Sequence, residues 1–270
     1  MYGFRSKKHF HMKISHWYGR LGNNIQQCAV GLMMAQAYKT TFESIPHDVI
    51  KQFSVKFGDG RSDHQSKFFY YQGPYKEVTL DSASVYTQIR AFCKEFIYPQ
   101  LALPSVDVPD DTLVIHLRSG DVFDKNVTNP DQYVPNPYVF YFTLLEAFEK
   151  VIVVTEPDDY NPLIEELRNQ CPKVKVQSKS VEEDFATLMN AKHVATSGVG
   201  TFGTAAALCS RKIEELYCTD LHITEHLNYK MFYNTDVRIN LMELPDYIGI
   251  GEWTNSDEQR QFLFDYKAQT

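Results

Sequence analysis

The chain has 270 residues, 43% hydrophobic and 14% aromatic, enough apolar material for one large core or two small ones and too much for a disordered chain. Its formal charge of -7 excludes a broad electrostatic footprint for nucleic acid or an anionic membrane surface, so an anionic ligand must be held by a few placed groups. The five cysteines, Cys28, Cys93, Cys171, Cys209 and Cys218, show no CxxC or Cys/His spacing and read as reduced core thiols.

The first twenty residues hold no apolar stretch of signal-peptide length, and no later run approaches the roughly 18 apolar residues of a membrane span. The expectation is a cytoplasmic protein, or a domain cut from a membrane-anchored enzyme. HMKISHWYG reads as a short strand, followed by the glycine loop Gly19-Arg20-Leu21-Gly22-Asn23-Asn24 and a helix whose face is Ile25, Cys28, Ala29, Leu32, Met33 and Gln36. Residues 40 to 80 are rich in aromatics without a clear period. A second helix is expected over Ser82 to Tyr98, with Val85, Ile89, Phe92, Cys93 and Phe96 on one face, ended by Pro99.

The proline-punctuated stretch Pro104 to Asp111 marks a linker, and the boundary is drawn there: 1–110 as an N-terminal α/β domain and 111–270 as a C-terminal one. Strand 112–117, helix 138–149, strand VIVVTE, helix NPLIEELRNQ, strand KVKVQ, helix VEEDFATLMNA, strand HVATS, a short helix TAAALCS and strand IEELYC then alternate. Alternation of this kind predicts a doubly wound parallel sheet whose ligands sit at the carboxyl ends of strands. The region after Cys218 is irregular and yields no element.

Three clusters carry chemistry. His116-Leu117-Arg118-Ser119-Gly120-Asp121 follows a buried strand, so the Arg118 guanidinium is delivered to the carboxyl edge, where it suits a departing pyrophosphate. An Arg118–Asp121 pair that only caps a turn explains the same motif. The Gly19–Asn24 loop precedes a helix whose N-terminus suits phosphate, although backbone geometry alone accounts for such glycines. The third cluster, Ser197-Gly198-Val199-Gly200-Thr201-Phe202-Gly203, matches GxGxxG formally and allows either a dinucleotide fingerprint or a diphosphate held by Ser197, Thr201 and loop amides. The acidic doublets Asp110-Asp111 and Asp158-Asp159 are weak versions of a metal-holding DxD, and no metal is expected.

In this order, the clusters resemble those of the α-1,2-fucosyltransferases and the related α-1,6- and protein O-fucosyltransferases. GRLGNNIQQCAVGLMMA is similar to that family's opening loop and helix, VIHLRSGDVF to its HxRxGD strand, VIVVTEPDDY to an intermediate strand, and DFATLMNAKHVATSGVGTFGTAAAL to its donor segment. Asn24 stands where glutamine is commoner, and the last loop departs around Val199-Gly200 and Gly203-Thr204.

The resemblance implies two Rossmann-like domains of the GT-B type and inverting, metal-independent transfer of a sugar, L-fucose from GDP-fucose, to a glycan hydroxyl. It implies Arg118, Asp121 and Asp124 as catalytic candidates. On the donor side it implies Gly19, Arg20, Gly22, Asn23, Asn24, His116, Thr155, Asp184, Ser197, Gly198, Gly200, Thr201 and Phe202 beside Arg118. The partners it implies are the nucleotide-sugar donor and a glycan acceptor; Phe42, His47, Phe53, Phe57 and Phe68 to Tyr71 suit stacking on an acceptor sugar or, equally well, filling the small N-terminal core. Another nucleotide-sugar donor with a UDP- or GDP-linked pentose or hexose, a non-catalytic nucleotide-sugar or glycan-binding module, and a nicotinamide enzyme remain open.

Overall fold

A computed structural model describes residues 11–59, 82–127, 133–170 and 172–267. The chain divides into two compact units, Met1–Ala102 and Leu103–Thr270. The dividing point precedes the expected linker because that stretch is tied to the second unit: Asp110 pairs with Lys192 at 3.0 Å and Asp111 with Lys150 at 2.7 Å.

The first unit contains β1 (His11–Lys13), α1 (Leu21–Ala37), β2 (Thr41–Glu43), β3 (Ser54–Lys56) and α2 (Ser82–Phe92). Its sheet has the order β1-β2-β3, with β1 parallel and β3 antiparallel to β2. Helix α1 is buried from Leu21 to Ala35 on every side except at Asn23, as an all-round apolar helix must be. Gln36, expected on the buried face, is exposed. Helix α2 stops at Phe92, short of the expected Tyr98; the chain widens into a π turn over Cys93–Ile97 and a 3-10 turn over Tyr98–Gln100. Pro99, which has no amide proton, lies within that last turn.

The second unit is a six-stranded sheet of β4 (Thr112–His116), β5 (Lys150–Val154), β6 (Val174–Gln177), β7 (His193–Ala195), β8 (Glu215–Thr219) and β9 (Arg238–Met242). Its helices are α3 (Tyr138–Ala147), α4 (Pro162–Gln170), α5 (Val181–Asn190), α6 (Phe202–Cys209) and α7 (Asp257–Asp265). All pairings are parallel and the order is β6-β5-β4-β7-β8-β9. The chain builds outward from β4 to β6, then crosses back to lay β7 on the other side of β4. The switch point of this Rossmann-like sheet therefore lies between β4 and β7, where a crevice opens beyond the strands' carboxyl ends. β4 is buried at all five positions, which is why it reads as an uninterrupted apolar run.

Two elements in the region without periodicity are β9 and α7. β9 is an edge strand with no buried residue and no alternation of exposure, so neither an apolar run nor a period of two marks it. For α7 the signal was present: Ser256 caps the helix by accepting from the Gln259 amide at 3.2 Å, in a Ser-x-x-Gln pattern ahead of Phe-Leu-Phe. This tail covers the turn after β4, because the Trp253 indole donates to the Val122 carbonyl at 3.1 Å and Arg260 reaches the Phe123 carbonyl. Among the described residues no helix is long and apolar enough to cross a membrane.

Candidate functional site

The site is built from the loop after β4. Leu117 still bonds to the β5 carbonyl of Val154 at 2.9 Å, and the chain then leaves the sheet. Asn161 donates to the Arg118 carbonyl at 2.7 Å, while its own amide donates to Ser119 Oγ at 3.0 Å. The Ser119 hydroxyl and the Gly120 amide both donate to Asp158, at 2.5 and 3.2 Å, and the Ser119 amide donates to Glu156 at 2.7 Å. Asp158 thus serves as the loop's anchor, a task the Asp158-Asp159 doublet did not suggest. Gly120 holds φ +59°, which lets the chain turn there.

This scaffold aims Arg118. Its Nη2 lies 2.5 Å from Asp121 Oδ1, its Nε lies 3.2 Å from Glu156 Oε1 without hydrogen-bond alignment, and its guanidinium stands 5.5 Å from the Tyr133 ring centroid. The side chain is 17% exposed. Burial opposes its charge, but Tyr133, Glu156 and Asp121 outweigh burial and raise its pKa above the usual arginine value. Arg118 is therefore a permanent cation facing two carboxylates. Of the two candidate bases, Asp121 is committed to Arg118, and Asp124 accepts from the backbone and side chain of Asn126 at 2.8 and 3.0 Å in a local turn.

His116, the last residue of β4, is buried and bonds through Nδ1 to Ser197 Oγ at 3.1 Å. Burial, aided by Arg118, pushes its pKa down to about 3, so the imidazole is neutral. Ser197 follows β7, the neighbour of β4 in register Ile115↔Ala195. Two motifs 81 residues apart in the chain are joined by this bond. Phe202, at the start of α6, packs 5.3 Å from the His116 ring, and a Cβ at Gly203 would sit 3.0 Å from that of His116. Gly203 is thus a close-packing glycine between helix and strand.

The rest of the glycine loop is shaped by its neighbours. Gly198 has φ +84°, and a Cβ there would lie 2.5 Å from the Val134 carbonyl. Buried Asn136 donates to the Thr196 carbonyl at 2.9 Å and accepts from Thr219 at 2.7 Å, tying the ends of β7 and β8. Gly200 faces the Tyr133 hydroxyl, which is buried beside Ser197 yet forms no aligned hydrogen bond among the described residues. Thr201 occupies the cap position of α6 without a side-chain cap, and the first amides of that helix carry its positive end. The formal GxGxxG follows the fourth strand of the sheet in chain order and opens a helix of eight residues, whereas a dinucleotide fingerprint follows the first strand.

The other expected residues divide clearly. Thr155, just after β5, is buried, with its hydroxyl lacking a hydrogen bond among the described residues. Asp184 is buried and accepts from Gln177 Nε2 at 2.9 Å and the Lys179 amide at 3.0 Å, holding the loop after β6; the cap of α5 is Ser180. Burial raises the Asp184 pKa against those two hydrogen bonds. In the first unit, Gly19 takes φ +68° with the Asn23 side chain folded over it. Arg20 is the cap residue of α1, and Gly22 lies in its first turn. Asn24 is buried: its Nδ2 donates to the Tyr18 carbonyl and to Gln27, and its Oδ1 accepts from His47 Nε2 at 3.1 Å. Asn24 therefore holds the loop together from inside.

Of the aromatics expected to face an acceptor, Phe42 packs against Phe53, and Phe57 packs against Phe92 and Phe96, filling the first unit's core. Phe68 to Tyr71 lie outside the described residues.

Sequence reasoning missed Tyr133, Asn136, Glu156 and Asn161. Glu156 lies inside the VIVVTEPDDY stretch but nothing there singles it out, and Tyr133, Asn136 and Asn161 reach the site from loops with no motif around them. Beyond β7 and β8 a shallow, solvent-open cleft is lined by the Gly198–Gly200 loop, Thr204, Thr219, Leu221–Ile223 and His226–Tyr229. No family model, curated protein or solved structure matches the chain.

Proposed function

We propose that this chain is a glycosyltransferase that binds a nucleotide-sugar donor at the switch point of its six-stranded sheet, with GDP-fucose as the donor and a glycan hydroxyl as the acceptor. The observation that carries this reading is the Ser197–His116 bond. It sets the Arg118 loop beside the N-terminus of α6 at the edge where sheets of this order take ligands. A nucleoside diphosphate suits both halves. Its oxygens would accept from the amides that open α6 and pair with the Arg118 fork in exchange for a carboxylate. As the bond between sugar and phosphate lengthens, those preorganised donors stabilise the charge that develops on the leaving group. Neutral His116 and Ser197 keep the two loops in register, and the resemblance of the motifs to those of fucosyltransferases supplies the donor.

One observation favours a second reading, a nucleotide-sugar-binding module without turnover. Asp121 and Asp124, the expected bases, are both engaged in local contacts. Thermal-shift titration against GDP, UDP and NAD, together with nucleoside diphosphate release from GDP-fucose, separates the readings. A nucleotide at 100 times its dissociation constant should stabilise by about 2.7 kcal/mol. Stabilisation by NAD alone, or by none of the three, would overturn the proposal; GDP binding without turnover would leave the module.

A further inference from the structure

The cleft beyond β7 and β8 holds a histidine that no motif marks. It shares the Gly198–Gly200 loop and Thr204 of α6 with the proposed donor site, and its other wall includes His222 and Tyr229. Resting on the proposed transfer reaction, we propose that His222 is the general base that takes the proton from the acceptor hydroxyl.

The tautomer follows from one contact. His222 Nδ1 lies 2.8 Å from the Asp220 carbonyl, an acceptor only, so Nδ1 carries the proton and donates. Nε2 is then the basic lone pair, and among the described residues it makes no hydrogen bond. The ring is held edge-on by Tyr229, with centroids 5.4 Å apart. A backbone carbonyl that orients an imidazole and stabilises its protonated form does what the carboxylate does in a catalytic triad. The segment is itself braced: Asn228 donates to the Ile223 and His226 carbonyls and accepts from the Lys230 amide.

Other titratable groups on the cleft are poorly suited. Burial, with Asp220, pushes the Cys218 thiol up to about 12, and burial first, with Tyr233 next, takes Tyr229 to about 12; neither is a base at neutral pH. Burial pushes the His226 pKa down to about 4, against the nearby Glu225, leaving it a weak base. His222 is half-buried and stands at the carboxyl end of β8, on the edge used by the donor.

The step balances. The acceptor oxygen forms a bond to the anomeric carbon as its proton passes to Nε2. The bond from that carbon to the β-phosphate oxygen breaks, its electron pair leaves with the nucleoside diphosphate, and the imidazolium later returns the proton to solvent.

The test compares wild-type protein with His222→Asn, His222→Gln and His222→Gly, reading GDP affinity by thermal shift and GDP or UDP release from GDP-fucose, GDP-mannose, UDP-glucose and UDP-xylose with free monosaccharides as acceptors. Asparagine retains a donor near the Asp220 carbonyl while removing the base. Expected is a fall in kcat of about 10²- to 10⁴-fold in all three variants, with GDP affinity within twofold, and partial rescue of His222→Gly by added imidazole. Turnover in His222→Asn and His222→Gln within threefold of wild type would overturn the base while leaving the transferase reading intact, and so would loss of GDP affinity in parallel with turnover. Wild-type protein that releases no diphosphate from any donor would overturn both.

Discussion

Replacing Arg118 separates a phosphate-binding arginine from a structural one. The guanidinium is 17% exposed and spans two carboxylates, at 2.5 Å to Asp121 and 3.2 Å to Glu156, which are themselves 35% and 22% exposed. Removing one partner of a fully buried pair costs about 3–5 kcal/mol, whereas an exposed pair is worth roughly 0–1 kcal/mol. The exposures here set Arg118→Ala between those limits, near 2 kcal/mol, because two carboxylates are left facing each other. Arg118→Lys keeps the charge but cannot span both partners or stack its plane on Tyr133, and should cost about 1 kcal/mol. If the fork also receives the diphosphate, both variants should lose about 10²- to 10³-fold in turnover, and GDP binding should weaken more than guanosine binding.

A third variant, Glu156→Gln, discharges one competitor for the guanidinium and should tighten GDP binding while lowering stability. Urea unfolding at pH 7, GDP and guanosine titrations and diphosphate release on the three proteins give every number required. Arg118→Lys with unchanged turnover and GDP affinity, beside an Arg118→Ala protein that is merely less stable, would refute the phosphate role and leave an ion pair that caps a turn.

Since burial, aided by Arg118, pushes the pKa of folded His116 down to about 3 from the ordinary imidazole value of 6.5, the unfolded chain takes up a proton that the folded one refuses. The stability this supplies is complete above pH 6.5 and falls by up to about 1.4 kcal/mol per unit as pH drops toward 3. The urea midpoint of His116→Gln should therefore decline less steeply than that of wild type between pH 6.5 and 4.5, and parallel declines would contradict a neutral His116. Gly198→Ala must put a Cβ 2.5 Å from the Val134 carbonyl at φ +84° and should cost about 2 kcal/mol or more in urea unfolding; a change under 0.5 kcal/mol would disprove the tight turn. Turnover should survive EDTA, since the amides of α6 and Arg118 are assigned the charge stabilisation a cation gives elsewhere; loss in EDTA with return in manganese would contradict that assignment. Asp184→Asn loses one of two acceptors and turns an amide toward a donor, so it should lower stability by about 1–2 kcal/mol without touching the cap at Ser180.

The elements that could be read without coordinates are those written in local patterns. β4 appears as an apolar run because both its faces are covered, and α5 as a helical period in VEEDFATLMNA, although its cap is Ser180, which accepts from the Glu183 amide. Alternation of strand and helix from Thr112 to Cys218 led to a parallel sheet, because short parallel connections require crossover helices. From there the carboxyl edge follows as the place for Arg118 and Ser197. Where the pattern was not local, the reading stopped. The period of α1 marked the helix but put Gln36 on a buried face that in fact runs all round and ends at Ala35, and β9 is an edge strand with no buried residue to mark it.

The sequence alone determined that the second half of the chain is a parallel sheet and that His116, Arg118 and Ser197 lie at the carboxyl ends of its strands. Only the tertiary structure decided which of them meet: β7 returning to β4 brings Ser197 to His116, and the loops after β5 and before α3 bring Glu156 and Tyr133 to Arg118. Periodicity records whether a side chain faces a core. The partner it finds there is chosen by strand order and loop closure over tens of residues, which no local pattern encodes.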